Sequence, residues 1–200
     1  MLCIQIHEDT YCRKLLAVFY ILEYRMPMQM KPQDVLVVLK LMTAGWPGSY
    51  ALLGLQLGMS PSMAHSAVRR ARQQGLLHPL DYSTHKIALA EFLVHGVRYV
   101  FPVELGSPTR GMPTSYAAPP LSDEISYSPD ELVPVWPDPE GTMRGSTLKP
   151  LYHSVPKAAR EDSKLYEWLA LVDALRTGRA REREIAARII GSRLNYAAIR

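Results

Sequence analysis

Between Ser60 and Gln73 the chain sets hydroxyl, amide, imidazole and guanidinium groups at the spacing of a helix face. Ser62, Ser66, Arg69 and Gln73 recur at intervals of three and four, so on a helix they share one row. His65, Arg70 and Arg72 flank that row. The opposite row holds Ala64, Ala67, Val68 and Ala71, small apolar residues that can lie flat on a neighbouring helix. Such a helix has the chemistry to read a duplex in its major groove. Guanidinium pairs with guanine O6 and N7, amide pairs with adenine, and hydroxyls reach bases or phosphates. Ser62, His65, Ser66, Arg69 and Gln73 are expected to face bases. Ser60, Arg70 and Arg72 are expected to fix register on phosphates.

The flanking sequence positions that row. Ser49 caps a short helix whose Leu53, Gly54 and Leu57 share one face. Gly54 falls where two helices must approach closely. Gly58 lies just past the helix end, where a left-handed residue is wanted. Ser60 then offers a capping hydroxyl, and Pro61 fills the first position of a helix over 61–74, where no N–H is needed. Upstream, Pro32 and Asp34 open a first helix with Val35, Leu36, Leu39 and Met42 as its inner face. Gly45-Trp46-Pro47-Gly48 breaks it, with Trp46 as a lid on the core.

This helix stop followed at once by a helix start resembles the core of bacterial winged helix-turn-helix regulators, the MarR-like group among them. The resemblance covers residues 31–98. It implies a domain that binds double-stranded DNA. A homodimer would set two such helices about 34 Å apart on a partly palindromic site. Only His78-Pro79-Leu80-Asp81-Tyr82-Ser83 separates Leu77 from the next helical pattern, so the wing is short or absent. That pattern, over 84–97, carries Ile87, Leu89, Ala90, Leu93, Val94 and Val97 and is expected to be largely buried. Two amphipathic helices around a glycine turn also occur as plain packing units, and some winged helices bind protein.

The net charge of +4 conceals a segregation. Residues 31–98 carry seven Lys/Arg against three Asp/Glu, 111–140 carry six acids and no base, and 141–200 carry twelve bases against six acids. Basic ends suit a polyanion, because neutralised phosphates release counterions. Cys3 and Cys12, with His7 between them, lack the spacing of a zinc site, so no metal or cofactor is expected. The chain reads as cytosolic with incidental thiols. Residues 1–30 form an N-terminal extension. Its apolar run 15–22 is too short for a membrane span, which needs about 20 residues. Glu8 and Asp9 precede the run and no small-residue cleavage site follows, which argues against a signal peptide. The extension is either a helix packed on the next domain or a segment upstream of a start at Met26, Met28 or Met30.

Tyr99 to Val103 read as a short strand. Residues 99–155 are rich in proline and glycine, yet Tyr116, Leu121, Ile125, Val133, Val135 and Trp136 are too many large apolar groups for a linker. An irregular segment that wraps the domain and contributes short strands is expected. Arg110 and Arg144, each beside a glycine, serve a turn or meet an anion. Residues 156–200 form a C-terminal helical arm. Its first helix, over 163–176, aligns Leu165, Trp168, Leu169, Val172 and Leu175. Gly178 separates it from a second, over 179–194, with Ile185, Ala186, Ile189 and Ile190 beside five arginines. The arm serves dimerisation or a partner protein, or it packs on its own domain. The fold class is therefore mainly α: a winged helix-turn-helix-type N-terminal domain, an irregular Pro-rich middle and C-terminal helices.

No P-loop, Rossmann glycine fingerprint, HExxH or GxSxG occurs, and the six histidines do not cluster at ligand spacing, so no enzyme is expected. His95 reads as a hydrogen-bonded core histidine. The leading expectation is a sequence-specific DNA-binding regulator. The alternative is a protein-interaction module, such as an antitoxin that binds its toxin through the C-terminal part. A third reading is a small-molecule sensor with Tyr116, Trp136 and Trp168 lining a pocket.

Overall fold

Three helices form the first part of the protein. α1 (Pro32–Ala44) starts on a proline, and the Asp34 carboxylate accepts from the Lys31 N–H at 2.8 Å, closing the first turn. α2 (Tyr50–Leu57) is capped by Ser49, whose hydroxyl accepts from the Leu52 N–H. α3 (Pro61–Gln73) is capped by Ser60. The computed structural model describes residues 29–128 and 130–196. Cys3, Cys12, His7 and the apolar run 15–22 lie outside these residues, as do both readings of the N-terminal extension.

α1 is buried from Asp34 to Leu41, on every side rather than on one stripe. The reason is its place in the chain's single large core: α3 packs on one side of it and the long helix α6 (Ser163–Thr177) on another. α6 is likewise enclosed, with Leu165 and every residue from Trp168 to Leu175 buried. It touches α1, α5 (Val155–Glu161), α7 (Ala180–Leu194) and the turn Val97–Val100 that ends an earlier helix. Residues 156–196 therefore pack on the rest of the chain, because α6 supplies the apolar face that α1 needs. α7 buries Ala186, Ala187, Ile190 and Leu194 and ends on Asn195 in the left-handed conformation.

α4 runs from Lys86–Glu91 through one π-helical stretch, Phe92–Gly96, into Val97–Val100. The expected strand at 99–103 is thus helical up to Val100, and Phe101 tucks into the core beside Phe92. Ile87, expected inside, is 62% exposed, and His95 is exposed with the Tyr196 hydroxyl within reach. The wider π turn shifts the apolar stripe, so the 3.6-residue period misplaces residues at its ends.

The Pro-rich middle makes three strands. β1 (Leu105–Pro113) runs antiparallel to β2 (Pro134–Pro137) and to β3 (Met143–Leu148). β2 and β3 meet in parallel at Val135↔Thr147, so the three close on one another. Arg110 and Arg144 are cross-strand partners, and neither occupies a turn. Trp136 is fully enclosed, Trp168 joins the main core, and Tyr116 packs with Tyr127 in a separate cluster. These aromatics fill space in different places.

A buried polar centre ties the middle to α6. The Asp173 carboxylate accepts from Trp136 Nε1 at 2.6 Å, Thr114 Oγ1 at 3.0 Å and an Arg176 Nη at 2.7 Å. Arg176 also donates to the Phe101 carbonyl at the end of α4. Burial pushes the Asp173 carboxyl above the ordinary carboxylate range, against the pull of Arg176 and the two neutral donors.

A second carboxylate couples α1 to α6. Asp162 caps α6 by accepting from the Leu165 N–H, and it meets Lys40 of α1 at 2.7 Å. Burial alone would raise its carboxyl, but Lys40 and the backbone donors outweigh burial and hold it below 3.8. A depressed folded-state value stabilises the protein above the unfolded value and ceases to do so as pH falls through the folded value. Asp162→Asn is therefore expected to flatten the loss of stability below pH 3.8. Urea unfolding across an acid pH series measures this. An unchanged slope would remove Asp162 from the account.

Candidate nucleic-acid interface

α3 is a helix of 13 residues, about 20 Å long. Its back, Ala64, Ala67, Val68 and Ala71, is fully buried, so the small side chains bring it close to α1 and α2. Its front is open. Ser62, His65, Arg69 and Gln73 are exposed and Ser66 is half-buried between them. The row read from the sequence is thus a real surface, and among the described residues Ser62, Ser66, Arg69 and Gln73 make no side-chain hydrogen bond or ion pair. His65 meets the edge of the Tyr50 ring at 4.9 Å.

The turn that aims α3 is set by two glycines. Gly58 takes the left-handed conformation at φ 61°, which glycine adopts without steric cost. At Gly54 a methyl group would sit 2.5 Å from the Met59 carbonyl oxygen, so only a bare Cα lets the turn fold back over α2. Ser60 Oγ accepts from the Met63 N–H at 3.3 Å. Its hydroxyl thus serves the helix cap, though the residue stays exposed.

Arg70 departs from its expected role. It is buried, and its Nε and Nη2 make a bidentate pair with the two Asp34 oxygens at 2.7 and 2.6 Å. No phosphate can reach it. On a helix, position 70 follows 69 by about 100°, which turns it from the open front towards α1. The planar guanidinium fixes both separation and rotation of the two helices, a geometry a lysine could not supply.

Arg72 is also engaged. Its Nη2 donates to the Asp81 carbonyl at 2.9 Å, and its guanidinium lies 4.6 Å from the Tyr82 ring centroid. It braces the loop after α3 rather than standing free for a phosphate. That loop carries a single bridge, Leu77↔Thr84, closed by His78 N–H donating to the Ser83 carbonyl. The rings of His78 and His85 stack at 3.5 Å beside the bridge. Ser83 donates through its N–H and hydroxyl to Asp81 and holds that carboxyl below its ordinary range.

An aromatic bracket joins this loop to the start of α2. Trp46 stacks on Tyr82 with centroids 3.6 Å apart and planes 4° from parallel. Tyr50 meets Trp46 edge-on, and its hydroxyl is 3.3 Å from that of Tyr82. Burial and the Tyr82 hydroxyl raise the Tyr50 phenol. Sequence reasoning found Trp46 as a lid but missed this bracket. The partners Tyr50 and Tyr82 are 32 residues apart, and no periodicity connects them.

The electrostatics of this region favour an anion. No acidic residue occurs between Asp34 and Asp81, and Asp34 is sealed against Arg70. The α2–α3 surface therefore presents Arg69 with no competing carboxylate of its own. Among the described residues no group of three or more His, Cys, Asp or Glu could hold a metal ion, and no helix is long and apolar enough to cross a membrane. No protein-family description matches this chain, and no curated protein or solved structure matches it.

Proposed function

We propose that this protein is a sequence-specific DNA-binding regulator of the winged helix-turn-helix kind, resembling the MarR-like group, and that it reads double-stranded DNA by laying α3 in the major groove. One observation carries the reading: Ser62, His65, Ser66, Arg69 and Gln73 form an outward surface on a helix whose back is buried and whose angle is pinned by Arg70 and Asp34. A major groove about 12 Å wide admits such a helix. Arg69 grips guanine, Gln73 pairs with adenine, and the two serines and His65 complete the edge contacts. The short loop at 78–83 leaves the minor groove largely unread. The protein acts as a homodimer, which sets two α3 helices one helical turn apart.

Selection of bound fragments from a genomic DNA pool supplies the test sequence. With it, Arg69→Ala and Gln73→Ala are each expected to lose about 1–3 kcal/mol of discrimination against the wrong base at one position. Fluorescence anisotropy against matched and mismatched duplexes measures the loss. If both variants keep wild-type affinity and sequence preference, the reading is wrong.

A further inference from the structure

A basic pair far along the chain flanks the segment that packs on the turn leading into α3. The connection from β3 into α5 does not run over open surface; it packs against the α2–α3 turn. Ser154 Oγ donates to the Leu57 carbonyl, the last of α2. A methyl group at Gly58 would lie 2.8 Å from Ser154 Cβ, so the backbones are in close contact there. The Tyr152 hydroxyl reaches Met63 Sδ at 3.7 Å in the first turn of α3. These three contacts hold residues 152–154 against the end of α2 and Met63, and Lys157 follows within the first turn of α5.

Two side chains of this segment face solvent, His153 and Lys157. The His153 ring meets that of its neighbour Tyr152, with centroids 4.2 Å apart. Lys157 has no ion pair among the described residues, although most of the other cations near the core are paired: Lys40, Arg70, Arg160 and Arg176 each hold a carboxylate. Glu161 lies one turn further along the same helix without an ion pair to Lys157 among the described residues, and the facing stretch, α2 through α3, has no acid.

We infer that Lys157, with His153 beside it, is a backbone clamp for duplex DNA: it contacts the phosphates that flank the groove entered by the first turn of α3. The inference rests on the DNA reading above and extends it into the second half of the chain. A helix entering the groove brings phosphates to both sides of its leading end, and a flexible ammonium meets them without any sequence requirement. The contact gives affinity and register, whereas α3 gives the choice of sequence. It also gives the tertiary contact at Ser154 and Leu57 a purpose in binding: the body that carries α5 is held at a fixed place relative to the reading helix.

Each phosphate neutralised by a cation adds about 0.9 to the slope of log affinity against log salt. The probe is a mixed-sequence duplex about three helical turns long, titrated with the whole protein over a range of salt. Lys157→Ala is expected to lower that slope by about 0.9, so that a fourfold rise in salt weakens the wild type about 3.5-fold more than the variant. Lys157→Arg is expected to keep the wild-type slope, and the variant's sequence preference is expected to stay unchanged. Equal slopes for wild type and Lys157→Ala, with Arg69→Ala still losing its discrimination, would overturn the clamp and leave α3 as the reader. No salt-dependent binding by the wild type at all would overturn both.

Discussion

Arg70→Ala is expected to lower the folding free energy by about 3–5 kcal/mol, because it strands the Asp34 carboxylate inside the core. Asp34 is fully buried and loses both bidentate bonds, keeping, among the described residues, the Lys31 N–H as donor. Domains of this size commonly hold about 5–15 kcal/mol in total, so the variant should sit near its unfolding threshold at ordinary temperature. Urea unfolding followed by tryptophan fluorescence measures it. The double variant Asp34→Leu, Arg70→Met separates two meanings of the pair. It removes both charges, and a buried ion pair replaced by apolar groups of similar volume is often neutral or better. Stability is therefore expected to return while DNA discrimination does not, since the guanidinium no longer sets the rotation of α3. A double variant that recovers stability and reads DNA like the wild type would show that packing alone aims the helix.

The second large effect is expected at Asp173. Alanine there leaves the Arg176 guanidinium without its carboxylate and deprives Trp136 Nε1 and Thr114 Oγ1 of their acceptor. Breaking a buried pair costs about 3–5 kcal/mol, and each orphaned neutral donor adds about 1–3 kcal/mol where water cannot enter. The loss is not confined to α6, because Arg176 carries the bond to the Phe101 carbonyl and Trp136 belongs to β2. The three strands should loosen together with the end of α4. Asp173→Asn keeps one acceptor oxygen and the volume of the site, so its cost is expected to be smaller than that of alanine. Amide hydrogen exchange across β1 and β2 distinguishes the outcomes. Protection that persists in the alanine variant would show that the strands hold without their polar anchor.

The two predictions have a common physical source, and it marks the limit of what spacing in a sequence can tell. Ser60, Pro61, Gly54 and Gly58 act through their own backbone or the adjacent turn, so residue type and position suffice to place them. The outward row of α3 is legible for the same reason: a helix repeats every 3.6 residues, and a small apolar back defines a polar front. Arg70 is the informative failure. By type it belongs with Arg69 and Arg72, and only the position of Asp34, 36 residues earlier, turns it into a buried strut.

The C-terminal half shows the same limit on a larger scale. The apolar faces over 163–176 and 179–194 were evident, but an amphipathic face does not name its partner. α1 carries apolar residues all round, and only a second helix on its far side can cover them; α6 is that helix. The sequence by itself determined the local elements, the polar outward face of α3 and the shortness of the loop after it, because capping, turn chemistry and helical period act over a few residues. The tertiary structure alone decided which charges are spent inside and which remain outside, because a charge is withdrawn from solvent only when a partner distant in the chain is folded against it.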